Sequence, residues 1–212
     1  MIEFFENLVL GDGDFSHAGV VVNSEILPLV PQLKKGKWYI WESTLAGSGV
    51  QIHELEDDIK KYLKEGKTKV AYCQLINNPW KELATENIFT YYFRKQKLIK
   101  NIWNVHQLYG LSPYKLNYLY LFGTIFKFLR KPRDIYDRIT DSENEILSFL
   151  HFKPLQGNSG VFCSEFVAII YKQLNIIPEN KDPRNIAPVD FLGIYPERLQ
   201  RIVKDPIYLD FI

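Results

Sequence analysis

The sequence predicts an α+β fold built on an antiparallel sheet, and three observations point there. Short β-branched or alternating segments fill the first third of the chain. Longer stretches of helical periodicity run from residue 79 to about 150. One strongly amphipathic helix, residues 162–174, follows them.

Residues 15–22 (FSHAGVVV) are β-branched and follow a Gly/Asp loop at 11–14, which predicts a first strand. Residues 37–43 (KWYIWES) predict a second strand after a turn at Gly36. Gly47, Ser48 and Gly49 mark another turn. Residues 50–55 (VQIHEL) alternate apolar and polar and predict a third strand, with a short helix at 57–64. Residues 70–75 (VAYCQL) predict a fourth strand, closed by Pro79. Periodicity then predicts helices at about 80–94, 96–109 and 114–129. Ser142 and Glu145 form a capping-box pattern that starts another. Residues 157–160 (GNSG) form a loop. In the helix after it, Phe162, Phe166, Ile170 and Leu174 recur on one stripe. Residues 190–212 hold one or two short strands or turns. The expected organisation is a single domain over 1–212 with a helical insertion at about 79–150.

Composition excludes several classes. The apolar fraction is 46% and the net charge +1, so a packed core is expected and no bulk field points to nucleic acid. Short clusters such as Lys34-Lys35 and Arg130-Lys131 read as solvated faces. The two cysteines, Cys73 and Cys163, lie in apolar segments and do not form a disulfide framework. No Cys/His pair has zinc-ligand spacing, and the glycines form neither a P-loop nor a dinucleotide fingerprint, so no metal or cofactor is expected. Residues 1–10 contain no basic region followed by a long apolar run. No secretory signal is read, and a cytoplasmic setting is the expectation. No apolar run is long enough to span a bilayer.

Cys163 stands at the first turn of the amphipathic helix, just after the Gly-rich loop. The N–H groups and dipole of such a turn stabilise a thiolate, which makes it nucleophilic, and can also stabilise an oxyanion. A small buried core residue is the alternative, and it suits the mid-strand Cys73 well. Of the four histidines, His53 reads as solvated on an edge strand, and His106 and His151 fall in helical segments. His17 sits on a strand between Ser16 and Ala18-Gly19, small neighbours that permit close approach of another element. Glu42 ends an apolar strand, where a carboxylate needs a partner, and is the candidate to orient an imidazole. Spacing alone leaves structural roles open for all three.

Three segments in this order, FSHAGVVV, then WEST…GVQIHEL, then FCSEFVAIIYKQL, resemble the YiiX-like permuted NlpC/P60 family of papain-like amidases, poxvirus-type relatives included. The resemblance covers roughly residues 14–75 and 155–195, including IAPVDFLG with Pro188 and Asp190. The stretch from Tyr109-Gly110 to Tyr114 is similar to one that precedes the cysteine helix in some members. The resemblance implies a circularly permuted papain-like fold, with an antiparallel sheet packed on a central Cys-bearing helix. It further implies catalysis by Cys163, His17 and Glu42, with Tyr114 and Ser164 near substrate.

The implied activity is a cysteine amidase or peptidase acting on a small peptide or acyl-amide, with a cell-wall fragment as one such substrate. A lipid-directed acyl hydrolase, acyltransferase or thioesterase is the first alternative, and an inactive binding module the second. The lipid reading draws on residues 114–133 (YKLNYLYLFGTIFKFLRKPR), an aromatic–aliphatic run with a basic end that suits contact with a membrane surface or an acyl-chain pocket. A buried helix of the insertion is the plainer account of that run.

Overall fold

The computed structural model describes residues 2–5, 17–44, 49–64, 70–113, 160–193, 196–197 and 199–209. Tyr114, His151, the 114–133 run, the helices expected at 114–129 and from Ser142, and the loops at 11–14 and 157–159 lie outside the described residues. So does most of the turn at 47–49.

The fold is α+β; among the described residues the sheet has six strands, all paired antiparallel. In chain order these are β1 (Ile2–Phe5), β2 (His17–Val22), β3 (Tyr39–Thr44), β4 (Gly49–Glu54), β5 (Val70–Cys73) and β6 (Ile207–Leu209). Their spatial order is β4-β3-β2-β1-β5-β6. The N-terminal strand therefore lies inside the sheet, with Ile2 opposite both Val20 and Cys73. Residues 2–5 carry no strand pattern long enough to predict one from sequence.

Among the described residues four α-helices accompany the sheet: α1 (Leu55–Lys64), α2 (Pro79–Leu83), α3 (Ile88–Tyr109) and α4 (Cys163–Gln173). The expected helix pair at 80–94 and 96–109 is corrected. The break falls at 84–87, because Asn87 caps α3 by accepting the Thr90 N–H at 3.0 Å. Nothing between Phe93 and Lys100 interrupts the backbone ladder, so one helix continues through.

Strand alternation divides the core in two. Ala18, Val20 and Val22 of β2, with Tyr39 and Trp41 of β3, face α4 and pack on Phe166, Val167 and Ile170. Trp41 meets Phe166 edge-on at 4.9 Å between ring centroids. On the opposite face Ile40 and Val70 pack against Leu55 at the start of α1. Gly19 lies opposite Glu42 in the β2–β3 ladder. A Cβ on Gly19 would come within 2.8 Å of the Ile40 side chain and 3.2 Å of the Glu42 Cβ. Only glycine leaves those two side chains room to lie across the strand.

Among the described residues no helix is long and apolar enough to cross a membrane.

Candidate active site

The site assembles where the start of β2 meets the start of α4. α4 begins at Cys163 because Phe162 has the extended backbone of an N-cap. The Glu165 carboxylate reaches back to accept the Phe162 N–H at 3.3 Å, which is half of a capping box. Phe162 has no acceptor in its side chain, so the cap leaves the N–H groups of the first turn to other partners. One of these, the Ser164 N–H, serves the Cys163 sulfur, as does the Ala18 N–H from β2.

His17 opens β2 and Glu42 lies on the neighbouring β3. The His17 Nε2 and the Glu42 Oε2 are 2.8 Å apart. Glu42 is almost wholly buried, so this contact supplies the charge partner that such a carboxylate requires. With Nε2 committed to Glu42, Nδ1 is the nitrogen that serves the Cys163 thiol, to which His17 is hydrogen-bonded. The three residues thus form one chain of contacts, Cys163 to His17 to Glu42. Cys163 comes from an element more than a hundred residues along the chain from the two strands that carry His17 and Glu42.

Electrostatics favours charge separation within this chain. Burial alone would raise the Cys163 thiol. The charge of His17 and a hydrogen bond from it, then the N–H groups of Ala18 and Ser164, bring it below its ordinary value. Burial alone would depress the His17 imidazole. The Cys163 charge and hydrogen bond, followed by those of Glu42, hold it well above its ordinary value instead. Cys163 is 6% exposed and forms no disulfide. Cys73 is the contrast: burial pushes its thiol up to about 12, as befits an inert core cysteine.

The approach to Cys163 is tied to β3, β4 and the end of α3. The Ser43 hydroxyl donates to the Val161 carbonyl at 2.7 Å. The Val161 N–H donates to the Pro113 carbonyl at 3.1 Å, and the Val50 N–H to the Ser112 carbonyl at 2.9 Å. Gly49 has a φ of +144°, and a Cβ there would lie 2.1 Å from the Ser112 carbonyl oxygen. Pro113 and Val161 are therefore fastened together beside the cysteine, at either end of residues 114–160.

The other expected residues fall as follows. Ser164 is buried in the first turn of α4, and its backbone N–H is the group that reaches the sulfur. Asp190 is fully buried and accepts the Ala187 N–H at 2.8 Å, which places it in the support of a short 3₁₀ turn, Pro188–Leu192. His106 is half-buried and packs against Trp41 and Trp103, and burial lowers its pKa, which favours the neutral imidazole. His53 is exposed on the edge strand β4.

Two features were missed in the sequence. Ser43 holds Val161, two residues before the cysteine, but a strand serine carries no local signal for that role. His53 and Asp58 bring donor atoms to within 4.8 Å of a Glu42 carboxylate oxygen and of each other. Only the β3–β4 register and the return of α1 over the sheet create that neighbourhood.

Comparison with protein-family models, with curated proteins and with solved structures found no match.

Proposed function

We propose that the chain is a cysteine hydrolase of the circularly permuted papain-like, NlpC/P60 type, and that it cleaves an amide bond in a small peptide, a cell-wall-derived peptide among the candidates. The observation that carries this reading is the contact chain Cys163–His17–Glu42, with the sulfur on the first residue of a helix. The order His, carboxylate, Cys along the chain and the antiparallel sheet against the cysteine helix agree with the permuted arrangement.

The steps follow from the geometry. The Cys163 thiolate adds to the carbonyl carbon, and the carbonyl electron pair moves to oxygen. The N–H groups of the first turn of α4 are the natural donors to that oxyanion. The His17 imidazolium gives its proton to the departing amine nitrogen as the C–N bond breaks, leaving a thioester on Cys163. Neutral His17 then takes a proton from water, whose oxygen adds to the thioester carbon. Collapse releases the carboxylic acid and restores the thiolate–imidazolium pair. Glu42 fixes the ring orientation and offsets the imidazolium charge throughout.

The test combines labelling with turnover. Iodoacetamide at neutral pH should modify Cys163 stoichiometrically in the native protein and leave Cys73 untouched. A panel of peptides with α- and γ-linked amides should then release free amine with wild type and none with Cys163→Ala. Native Cys163 reacting no faster than free cysteine, with no amine released from any peptide, would overturn the proposal.

A further inference from the structure

The far side of Glu42 carries a second arrangement that the proposed hydrolysis does not use. Glu42 of β3 and His53 of β4 are diagonal neighbours on one sheet face, since Glu42 pairs with Gln51 and Ile40 with His53. Asp58 comes down on them from α1, which packs on that face through Leu55. One donor atom from each residue lies within 4.8 Å of the other two. The three are not linked to one another by hydrogen bonds: among the described residues, His53 bonds to neither carboxylate. Glu42 is buried, its Oε2 is taken by His17, and no hydrogen-bond donor among the described residues reaches its Oε1.

Two carboxylates so close, one of them buried, repel each other, and a cation between them lowers that repulsion beyond what His17 offsets at Glu42. A divalent metal ion supplies such a cation. Ligand atoms at ~2.0–2.2 Å from one tetrahedral ion lie roughly 3.3–3.6 Å apart, a small contraction for an exposed imidazole and a half-buried Asp58. One nitrogen and two carboxylate oxygens suit a first-row divalent ion better than magnesium or calcium. The exposure of His53 leaves the remaining coordination positions to water.

We propose that Glu42, His53 and Asp58 form a binding site for a first-row divalent metal ion, placed behind the catalytic carboxylate. Binding is tested with Co²⁺ alone, titrated into the metal-free full-length chain and followed by visible absorption. Wild type should saturate at a single equivalent, with ligand-field bands and no thiolate-to-cobalt charge-transfer band. Cys163→Ala should bind identically. His53→Ala and Asp58→Asn should each weaken binding at least about tenfold, and His53 is exposed enough that its loss leaves the fold intact. Three results would each overturn the site: no binding at millimolar Co²⁺, binding indifferent to both substitutions, or a charge-transfer band that vanishes in Cys163→Ala. The readout needs no turnover. A chain that binds cobalt in this way but hydrolyses nothing would defeat the hydrolase reading and leave the metal site standing.

Discussion

Removal of His17 probes the reactive thiol most directly. An ordinary thiol with a pKa near 8.5 is only about 3% ionised at pH 7, so full ionisation is worth up to about 30-fold in thiolate concentration. A less basic thiolate is also a weaker nucleophile, which takes back part of that gain. In wild type the Cys163 thiol is lowered by His17 charge, by its hydrogen bond and by two backbone N–H groups, against the opposing effect of burial. His17→Ala deletes the two larger lowering influences and leaves burial opposed by the N–H groups alone. The thiol then moves upward in pH, and its alkylation rate at pH 7 should fall by about an order of magnitude or more. The assay is the pseudo-first-order rate of iodoacetamide labelling at Cys163, read by mass spectrometry from pH 5 to 10. The sign is fixed by the two directions. Wild-type labelling rises at a pH below that of free cysteine, because the folded thiol is depressed. A second inflection follows at alkaline pH, where His17, raised well above its ordinary value, loses its proton. Superimposable wild-type and His17→Ala profiles would refute the ion pair.

Three further outcomes follow from the same geometry. Glu42→Gln keeps a hydrogen-bonding group but removes the charge; Cys163 outranks Glu42 in holding the His17 proton, so labelling at pH 7 should slow less than in His17→Ala. Ser43→Ala leaves the buried Val161 carbonyl without its 2.7 Å donor and should cost ~1–3 kcal/mol in urea denaturation. Gly19→Ala forces the new Cβ onto the fully buried Ile40 side chain and against Glu42, for a loss of roughly 1–3 kcal/mol by the same method, with slower labelling of Cys163 as Glu42 is displaced.

The parts of the fold legible in the sequence were those with strong local patterns. β2, β3, β4 and β5 follow β-branched or alternating segments, and α4 follows a sustained apolar stripe. β1 was not legible. Ile2–Phe5 is four residues long, and it is strand only because β2 and β5 pair with it on both sides. The division of α2 from α3 was misplaced because apolar periodicity runs through both candidate break points. The deciding signal was Asn87, whose side chain caps only if the helix begins beside it.

The site shows the same division between local and long-range information. Cys163 was visible from its place at a helix start, and His17 from its small neighbours. Glu42 was visible as a carboxylate at the end of an apolar strand that needed a partner. Gly19 explains why that partner is His17: the position opposite Glu42 carries no side chain, so the carboxylate lies across β2 and reaches the imidazole two residues earlier. Position 19 thus links the sheet's register to the geometry of the site. If Gly19→Ala unfolded the chain no more easily than wild type and left Cys163 labelling unchanged, Glu42 would have another route to His17. The triad would then owe nothing to the β2–β3 register, and the physical case for Glu42 as its third member would fall with it.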